Sequence, residues 1–276
     1  CRTPVMGGHA YQCPDCKDWE FGAHSCNHRS CPQCGSSATA KWIGRELEKR
    51  VGAPYFMVTF TMPAELRELF FGQTARDAFG LFFSASSKAL AEKLADQKDL
   101  RARVSGFTGV LHTWNQKLQF HPHIHYIVPG CGLDAKGNVV TVKNANYLLH
   151  LPGLIGAFRD HVRNELKALG WGVDPKVWTK KWGINLQAFG DGATVIKYLG
   201  AYVCRTAIGN TRIISINEKD DTVTFLWKDR SDKKKIRMRP MTLSGTEFME
   251  RYLRHVLPDG LRSIRYYGFC HPAAKQ

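Results

Sequence analysis

The chain has 276 residues, of which 43% are hydrophobic, enough for one large or two modest packed domains. No apolar run approaches the roughly 20 residues that cross a bilayer, which argues against a membrane protein. The formal net charge of +15 is spread through the chain and favours a polyanionic partner, most simply a nucleic acid. A generally basic protein without such a partner is the alternative that charge alone leaves open.

The first 34 residues contain six of the nine cysteines, and two CxxC pairs stand among them. CxxC pairs with interspersed histidines are typical of zinc modules rather than of disulfide frameworks. The candidate ligands are Cys1, His9, Cys13, Cys16, Cys26, His28, Cys31 and Cys34.

Two groupings of these ligands are open. We expect two structural zinc ions, one held by Cys1, His9, Cys13 and Cys16, and the second by Cys26, Cys31, Cys34 and a histidine. The alternative is a single zinc ribbon formed by the two CxxC pairs.

This cysteine usage fits a reducing cytosol, so a cytoplasmic protein is expected. Because the chain starts at Cys1 rather than Met, we expect residues upstream to be missing, and the lack of a signal peptide carries little weight.

Beyond this module the pattern predicts a mixed α/β protein. A charged helix is expected over residues 41–50, and a buried strand over 55–62 ends at Pro63. Amphipathic helices follow over 64–71 and 75–95, with their phenylalanines in the core. Strands at 106–114 and 120–128 are then expected to pair antiparallel through a short connection.

The second half of the chain continues the alternation. The expected elements are a long helix at 147–169, a basic and aromatic loop at 176–182, a helix at 195–202, a β-meander built from 211–216, 222–227 and 235–241, a helix at 246–256 and a last strand at 262–267.

His123 and His125 are separated by one apolar residue within the predicted strand 120–128, so both rings point to the same face and can share one metal ion. For the third ligand we favour Gln116, on the connection that leads into the strand, over His112 and His121. Neutral ligands with open coordination positions suit Mg²⁺ or Mn²⁺ bound together with a phosphate.

Tyr198 and Tyr202 lie four residues apart on the predicted helix 195–202, one turn above each other. A metal pair together with a tyrosine pair in a basic protein points to metal-assisted attack of a phenol on a DNA phosphodiester. Tyr202 is the preferred primary nucleophile. The alternative is that both tyrosines only pack. Adjacent Tyr266 and Tyr267 are a poorer pair, because neighbouring residues of a strand face opposite ways.

DNA contacts are predicted in two basic segments and at Arg212. Trp178, Lys180 and Lys181 combine rings for stacking with charges for the backbone, as single-strand binders do, although packed tryptophans would look the same. Lys233, Lys234 and Lys235 make the tip of the meander strongly positive, either as a clamp on phosphates or as a solvated hairpin.

These motifs resemble a known family, the rolling-circle insertion-sequence transposases of the HUH superfamily, bacterial relatives of Helitrons with two catalytic tyrosines. The matching residues are His112-Thr113-Trp114, Gln116, His121-Pro122-His123-Ile124-His125, Val128-Pro129-Gly130, Tyr198-Leu199-Gly200-Ala201-Tyr202, Asn210, Arg212 and His255-Val256-Leu257-Pro258. The cysteine-rich segment is similar to the family's zinc-binding domain. It departs in reading Arg29-Ser30-Cys31 where the family usually has Arg-His-Cys, which leaves His28 or His24 as the zinc-binding histidine.

The resemblance implies an antiparallel HUH sheet flanked by helices, with a zinc-binding DNA-recognition module at 1–50, a nuclease and strand-transferase domain at 51–212 and a β-rich extension at 213–276. It also implies a bacterial, nucleoid-associated enzyme that nicks single-stranded DNA at element ends through a 5′-phosphotyrosine and then transfers the strand. A plasmid replication initiator or relaxase would share this chemistry, and the zinc module favours the transposase. A zinc-dependent DNA-binding protein without catalysis is the alternative of a different class.

Overall fold

The computed structural model describes residues 1–28, 31, 33–101, 104–203, 206–229, 231 and 235–274, and for residues 36, 37, 201 and 202 it describes the backbone alone. The α-helices in these residues are α1 (Gly35–Glu48), α2 (Ala75–Ala95), α3 (Leu151–Ala168), α4 (Ala193–Val203) and α5 (Gly245–Leu253). The strands are β1 (Gly8–Gln12), β2 (Trp19–Ala23), β3 (Tyr55–Thr61), β4 (Val104–Trp114), β5 (Phe120–Pro129), β6 (Cys131–Leu133), β7 (Val139–Thr141), β8 (Gly183–Ala188), β9 (Ile213–Asn217), β10 (Thr222–Asp229), β11 (Arg237–Ser244) and β12 (Ile264–Gly268).

The central sheet has seven strands in the order β7-β6-β4-β5-β3-β8, and β12 pairs with β4 beside β6. The strand pairings of this sheet are antiparallel, and β4 and β5 form the predicted hairpin in its middle. The predicted fold class, an antiparallel sheet flanked by helices, is confirmed. Two features lie outside the predictions: β8 forms one edge, and β12 brings the C-terminal region back into the central sheet.

One face of this sheet is covered by α2 and α3. Alternate residues of β3 and β5 point into this layer, among them Phe56, Phe60 and Tyr126, which are fully buried. The phenylalanines of α2 lie in the same core, as predicted. The predicted helix 64–71 is a 3₁₀ turn, Ala64–Phe70, that connects β3 to α2 and packs beside β5.

The other face is covered in part by α4, with α1 packed on α4. Val195 and Leu199 of α4 are fully buried against Met57 and Ile127 of the sheet. Trp42 of α1 joins this cluster and donates its indole N–H to the hydroxyl of Tyr266, at 2.9 Å. The helix predicted at 41–50 therefore begins earlier, at Gly35, and has a buried side.

Smaller units lie outside the central sheet. Strands β9, β10 and β11 form the predicted meander, which packs with α5 around Phe225. Strands β1 and β2 form an exposed N-terminal hairpin that contributes no residue to the buried clusters. None of the described helices is both long and apolar enough to cross a bilayer.

Candidate active site and zinc centre

Three histidines meet on the sheet face that α4 partly covers. His112 of β4 lies opposite His123 of β5, and His125 follows two residues later on the same face. One ring nitrogen from each lies within 4.8 Å of the other two. His112 is buried, whereas His123 and His125 are partly exposed, so the group opens to solvent on one side.

Hydrogen bonds orient two of these rings. The main-chain carbonyl oxygen of His121 lies 2.7 Å from Nδ1 of His123. Because a carbonyl only accepts, Nδ1 carries the hydrogen and Nε2 keeps its lone pair for a ligand. Thr59 of β3 pairs with His125 of β5, and its hydroxyl oxygen lies 2.8 Å from Nδ1 of His125. Such outer contacts are what holds metal-binding imidazoles in place.

The electrostatics keep the rings neutral. Burial lowers the pKa of His123 to about 4 and that of His125 to about 3, in the latter case with a contribution from neighbouring His123. Burial, and then the two neighbouring rings, hold the pKa of His112 well below its usual range. A neutral imidazole is the form that binds a metal, so the donor set fits a divalent cation after small side-chain movements.

The identity of the third ligand stays a prediction, and the geometry favours His112 over Gln116. Gln116 lies in the turn that follows Trp114, beyond the end of β4, and its main-chain carbonyl accepts a hydrogen bond from Arg212 at 2.7 Å. The side chain that the sheet aligns with the histidine pair is that of His112, one of the two competing candidates. The reason is the register of the hairpin, which sets His112 directly against His123.

Helix α4 carries both predicted tyrosines. Its buried stripe is formed by Val195, Ile196, Leu199 and Val203. Tyr198 stands beside this stripe, is 38% exposed, and stacks on Phe189 with ring centroids 6.5 Å apart. The backbone of Tyr202 belongs to α4, one turn further on, and its side chain lies outside the described residues.

Four thiols form the second metal-binding group. Cys1, Cys26, Cys31 and Cys34 bring their sulfur atoms within 4.8 Å of one another. The Sγ atom of Cys34 lies 3.3 Å from that of Cys1 and 3.8 Å from that of Cys26. Zinc–thiolate bonds of about 2.3 Å place the sulfurs of a tetrahedral site about 3.8 Å apart, so the group fits one structural zinc ion. The main-chain N–H of Cys34 lowers the pKa of Cys31 to about 7, which favours the thiolate.

The structure separates Cys1 from His9, Cys13 and Cys16, with which it was predicted to share a zinc ion. The chain start runs beside His24, and the main-chain N–H of Cys26 lies 3.2 Å from the sulfur of Cys1. Cys13 and Cys16 lie instead at the turn between β1 and β2, whereas His9 pairs with Gly22 further along that hairpin.

The predicted second zinc ion therefore has no complete ligand set in the part of the chain that the structure describes. No third ligand-type side chain comes as close to Cys13 and Cys16 as the four thiols come to one another. The histidine expected beside Cys31 and Cys34 is replaced by Cys1, so His28 stays outside the four-thiol group.

The predicted DNA contacts have mixed surroundings. The ring of Trp178 stacks on buried Trp182 at 5.7 Å and lies under the guanidinium of Arg163 at 4.6 Å, so it is already engaged within the protein. Lys180 lies 3.8 Å from Glu65, and Lys181 is exposed.

Arg212 also has contacts of its own, since it donates to the main-chain oxygens of Leu226 and Gln116 and thereby ties the meander to the β4–β5 turn. Lys235 is exposed, and Lys233 and Lys234 lie outside the described residues. The roles of all these residues in DNA binding stay predictions.

Two residues beside the histidines were not predicted from the sequence. Thr59 is one polar position in a buried strand, and only the pairing of β3 with β5 reveals that it faces His125. Arg67, in the 3₁₀ turn after β3, contacts His121. Neither belongs to a motif that the sequence displays.

Comparisons with known proteins identify the family of this chain. Residues 106–276 match a family model described as "Putative transposase", and residues 1–62 match one described as "Transposase zinc-binding domain". A "Putative transposase y4qJ" of Sinorhizobium fredii (strain NBRC 101917 / NGR234) is 34% identical over 293 residues, which cover 98% of this chain and 71% of the relative. The "Transposase for insertion sequence element IS801" of Pseudomonas savastanoi pv. phaseolicola is 28% identical over 287 residues, covering 98% and 67%.

Among solved structures, the chain is similar to a metal-bound conjugative relaxase, TrwC, in complex with oriT DNA. The identity is 14%, the match covers 41% of this chain and 43% of the relaxase, and the TM-score is 0.33. A TM-score this low carries no argument about function. The family matches span both the histidine sheet and the cysteine group, and the chain belongs to the IS91/IS801 family of transposases, with the family's zinc-binding domain at its N-terminal end.

Proposed function

We propose that this protein nicks single-stranded DNA at the ends of an insertion element through a covalent 5′-phosphotyrosine and then transfers the strand. The observation that carries the proposal is the position of the three histidines on the sheet face against which the tyrosine helix packs. A phosphate held by the histidine group would lie beneath the helix that supplies the phenols.

The chemistry exchanges one phosphodiester for another. The phenol oxygen forms a bond to phosphorus while the bond from phosphorus to the 3′ oxygen of the preceding nucleotide breaks. The phenol loses its proton, and the departing 3′ oxygen gains one. A second strand end can later attack the phosphotyrosine in the same way, so the sequence of steps needs no ATP and no hydrolysis.

Each residue has a defined task in this scheme. His112, His123 and His125 would hold a divalent cation, which when bound polarises the phosphate for attack. Thr59 and the carbonyl of His121 fix the orientation of two rings, so that the group is formed before DNA arrives. The two tyrosines supply the nucleophiles for the two strands.

The direction of α4 supports Tyr202 as the first nucleophile. The helix begins next to Tyr55, since a Cβ on Gly192 would lie 2.5 Å from that ring, and this is the end of β3 away from the histidines. Its last residue, Val203, lines a cavity of about 340 Å³ together with Trp114, which stacks on His112 at 5.3 Å. Tyr202, one turn beyond Tyr198, is therefore nearer to that end of the sheet.

We further propose that the four thiols hold one structural zinc ion. The N-terminal hairpin has almost no buried apolar surface, so the metal would supply much of the free energy that orders this segment. A closed set of four thiolates leaves no open position for catalysis. The zinc module would then serve recognition of the DNA end, and the histidine group would serve cleavage.

The experiment uses short single-stranded oligonucleotides tiled along both flanks of the coding sequence, incubated with protein and Mn²⁺. A DNA–protein adduct that survives SDS is expected with an end sequence, and it should disappear when Tyr198 and Tyr202 are both changed to Phe. Tyr147→Phe is the matched control, because Tyr147 is also exposed and lies outside α4. Binding of the oligonucleotides without any adduct would refute the enzyme and support a DNA-binding protein.

A further inference from the structure

A second group of donors lies beside the three histidines. His121 precedes His123 by two residues on β5 and faces the same way, with ring centroids 5.5 Å apart. Arg67, in the 3₁₀ turn Ala64–Phe70, places Nη2 3.0 Å from Nδ1 of His121. His121 is not one of the three rings whose nitrogens converge, so the pair forms a separate feature at the edge of the histidine group.

The contact between Arg67 and His121 fixes which groups can donate. A guanidinium has only N–H donors, so Nδ1 of His121 must accept. The proton of the neutral ring then sits on Nε2, which becomes a donor and has no lone pair to offer a metal. The pair therefore presents a guanidinium and an imidazole N–H, which together suit an anion with several oxygens.

The charge of Arg67 is not neutralised within the protein. Among the described residues, Arg67 forms no ion pair with a carboxylate, and its Nε is buried without a hydrogen-bond acceptor. Glu65, two residues earlier, pairs with Lys180 instead. Partly buried arginines are ordinarily paired, because an uncompensated charge away from water is costly. An arginine held against a neutral ring, beside three neutral metal-ligand candidates, leaves a strongly electropositive place.

We propose that Arg67 and His121 form a phosphate-binding site of their own, which holds the DNA phosphate one nucleotide away from the phosphate that is cleaved. This inference rests on the proposed function, because the neighbouring phosphate is defined by the cleaved one. The site anchors the backbone on one side of the reacting phosphorus, so that the tyrosine approaches a strand of fixed direction. The contact is to the backbone and is independent of base sequence.

The first test measures binding of oligothymidylate at several salt concentrations, with no added divalent metal. Arg67→Gln should weaken binding roughly tenfold and reduce the slope of log K against log salt by about 0.7, the value for one phosphate of a single strand. Arg67→Lys should keep the slope, since the charge remains. Arg159→Gln is the control for the loss of a positive charge elsewhere. Its Nε is also buried without a hydrogen-bond acceptor among the described residues, but Arg159 lies on α3, across the sheet, and its Nε is 3.9 Å from Oδ1 of Asp160.

The second test uses the oligonucleotide that is nicked, with a single neutral methylphosphonate in place of one phosphate at a time. A methylphosphonate next to the cleaved position should slow adduct formation roughly tenfold in the unaltered protein. In Arg67→Gln it should have hardly any effect, because the guanidinium that would contact this phosphate is already absent.

The outcomes separate the inference from the proposed function. An unchanged salt slope in Arg67→Gln, or equal methylphosphonate penalties in both proteins, overturns the Arg67–His121 site even if nicking is observed. A reduced slope without any adduct supports the phosphate site and refutes the nicking activity alone.

Discussion

His255 offers a prediction that can be worked out from the structure. It follows α5, is 9% exposed, and joins the C-terminal region to the β4–β5 hairpin that carries the histidine group. Its Nε2 donates to the carbonyl oxygen of Leu118 at 3.0 Å, which leaves Nδ1 to accept from the hydroxyl of Thr113 at 3.2 Å. The ring also stacks on Phe120 with centroids 6.2 Å apart.

Burial lowers the pKa of His255 to about 4. The hydrogen bond to the carbonyl oxygen of Leu118 acts in the opposite direction and raises this pKa, but by less than burial lowers it. In the unfolded chain the pKa is about 6.5, so the unfolded state binds the proton first as the pH falls. The stability that this neutral histidine contributes is present above pH 6.5 and is lost between about 6.5 and 4. The difference in pKa corresponds to about 3 kcal/mol in full, of which about 2 kcal/mol should be lost by pH 5.

The assay is urea unfolding of the zinc-loaded protein at pH 7.5 and pH 5, followed by tryptophan fluorescence. His255→Gln keeps a donor and an acceptor but cannot be protonated. The variant should be less stable at pH 7.5 by about 1–2 kcal/mol, because its hydrogen bonds are less well placed. Between the two pH values it should lose about 2 kcal/mol less than the unaltered protein. Parallel losses in both proteins would refute the reasoning.

Three further predictions concern the two metal-binding groups. His112→Ala should abolish Co²⁺ binding at the histidine group, measured by visible absorption, and should abolish nicking while DNA binding remains. Gln116→Ala should leave Co²⁺ binding intact. Loss of Co²⁺ binding in Gln116→Ala but not in His112→Ala would identify Gln116 as the ligand. Because imidazole suits the softer transition metals, Co²⁺ should bind the group more tightly than Mg²⁺ in competition by calorimetry, and equal affinities would contradict a three-histidine set. Cys26→Ser should lower the zinc content measured by mass spectrometry of the native protein, whereas Cys13→Ser should not, and zinc loss in both variants would favour the two-site grouping.

The β4–β5 hairpin was predictable because its signals are local. Alternation of apolar residues around His121, His123 and His125 identifies a strand and its faces from consecutive positions alone. The place of the third histidine, His112, could not be predicted in this way, because it depends on the register between two strands. A shift of one residue would have turned His112 to the opposite face, and nothing in the connecting turn specifies that register from sequence.

The zinc group shows the same limit. The CxxC spacing of Cys31 and Cys34 is a local signal, and the structure places both in the four-thiol group. Cys26, five residues before Cys31, was expected with this pair and joins it. The fourth thiol, that of Cys1, comes from a distant position, and it arrives only because the chain start runs alongside the segment at His24. Composition likewise could not separate a tryptophan that stacks on the core, such as Trp178, from one that awaits a base.

The central sheet explains why the site has a fixed geometry. On the face towards α4, each of β3, β4 and β5 carries an apolar residue beside the helix and a polar residue further along, as with Ile127 and His125 on β5. On the opposite face the same strands are apolar and packed under α2 and α3. A slip of one residue would expose that core and bury the histidines, a change that the lost apolar burial strongly disfavours. The register that brings the histidines together is therefore enforced by residues that never contact the site, such as Phe60 and Tyr126.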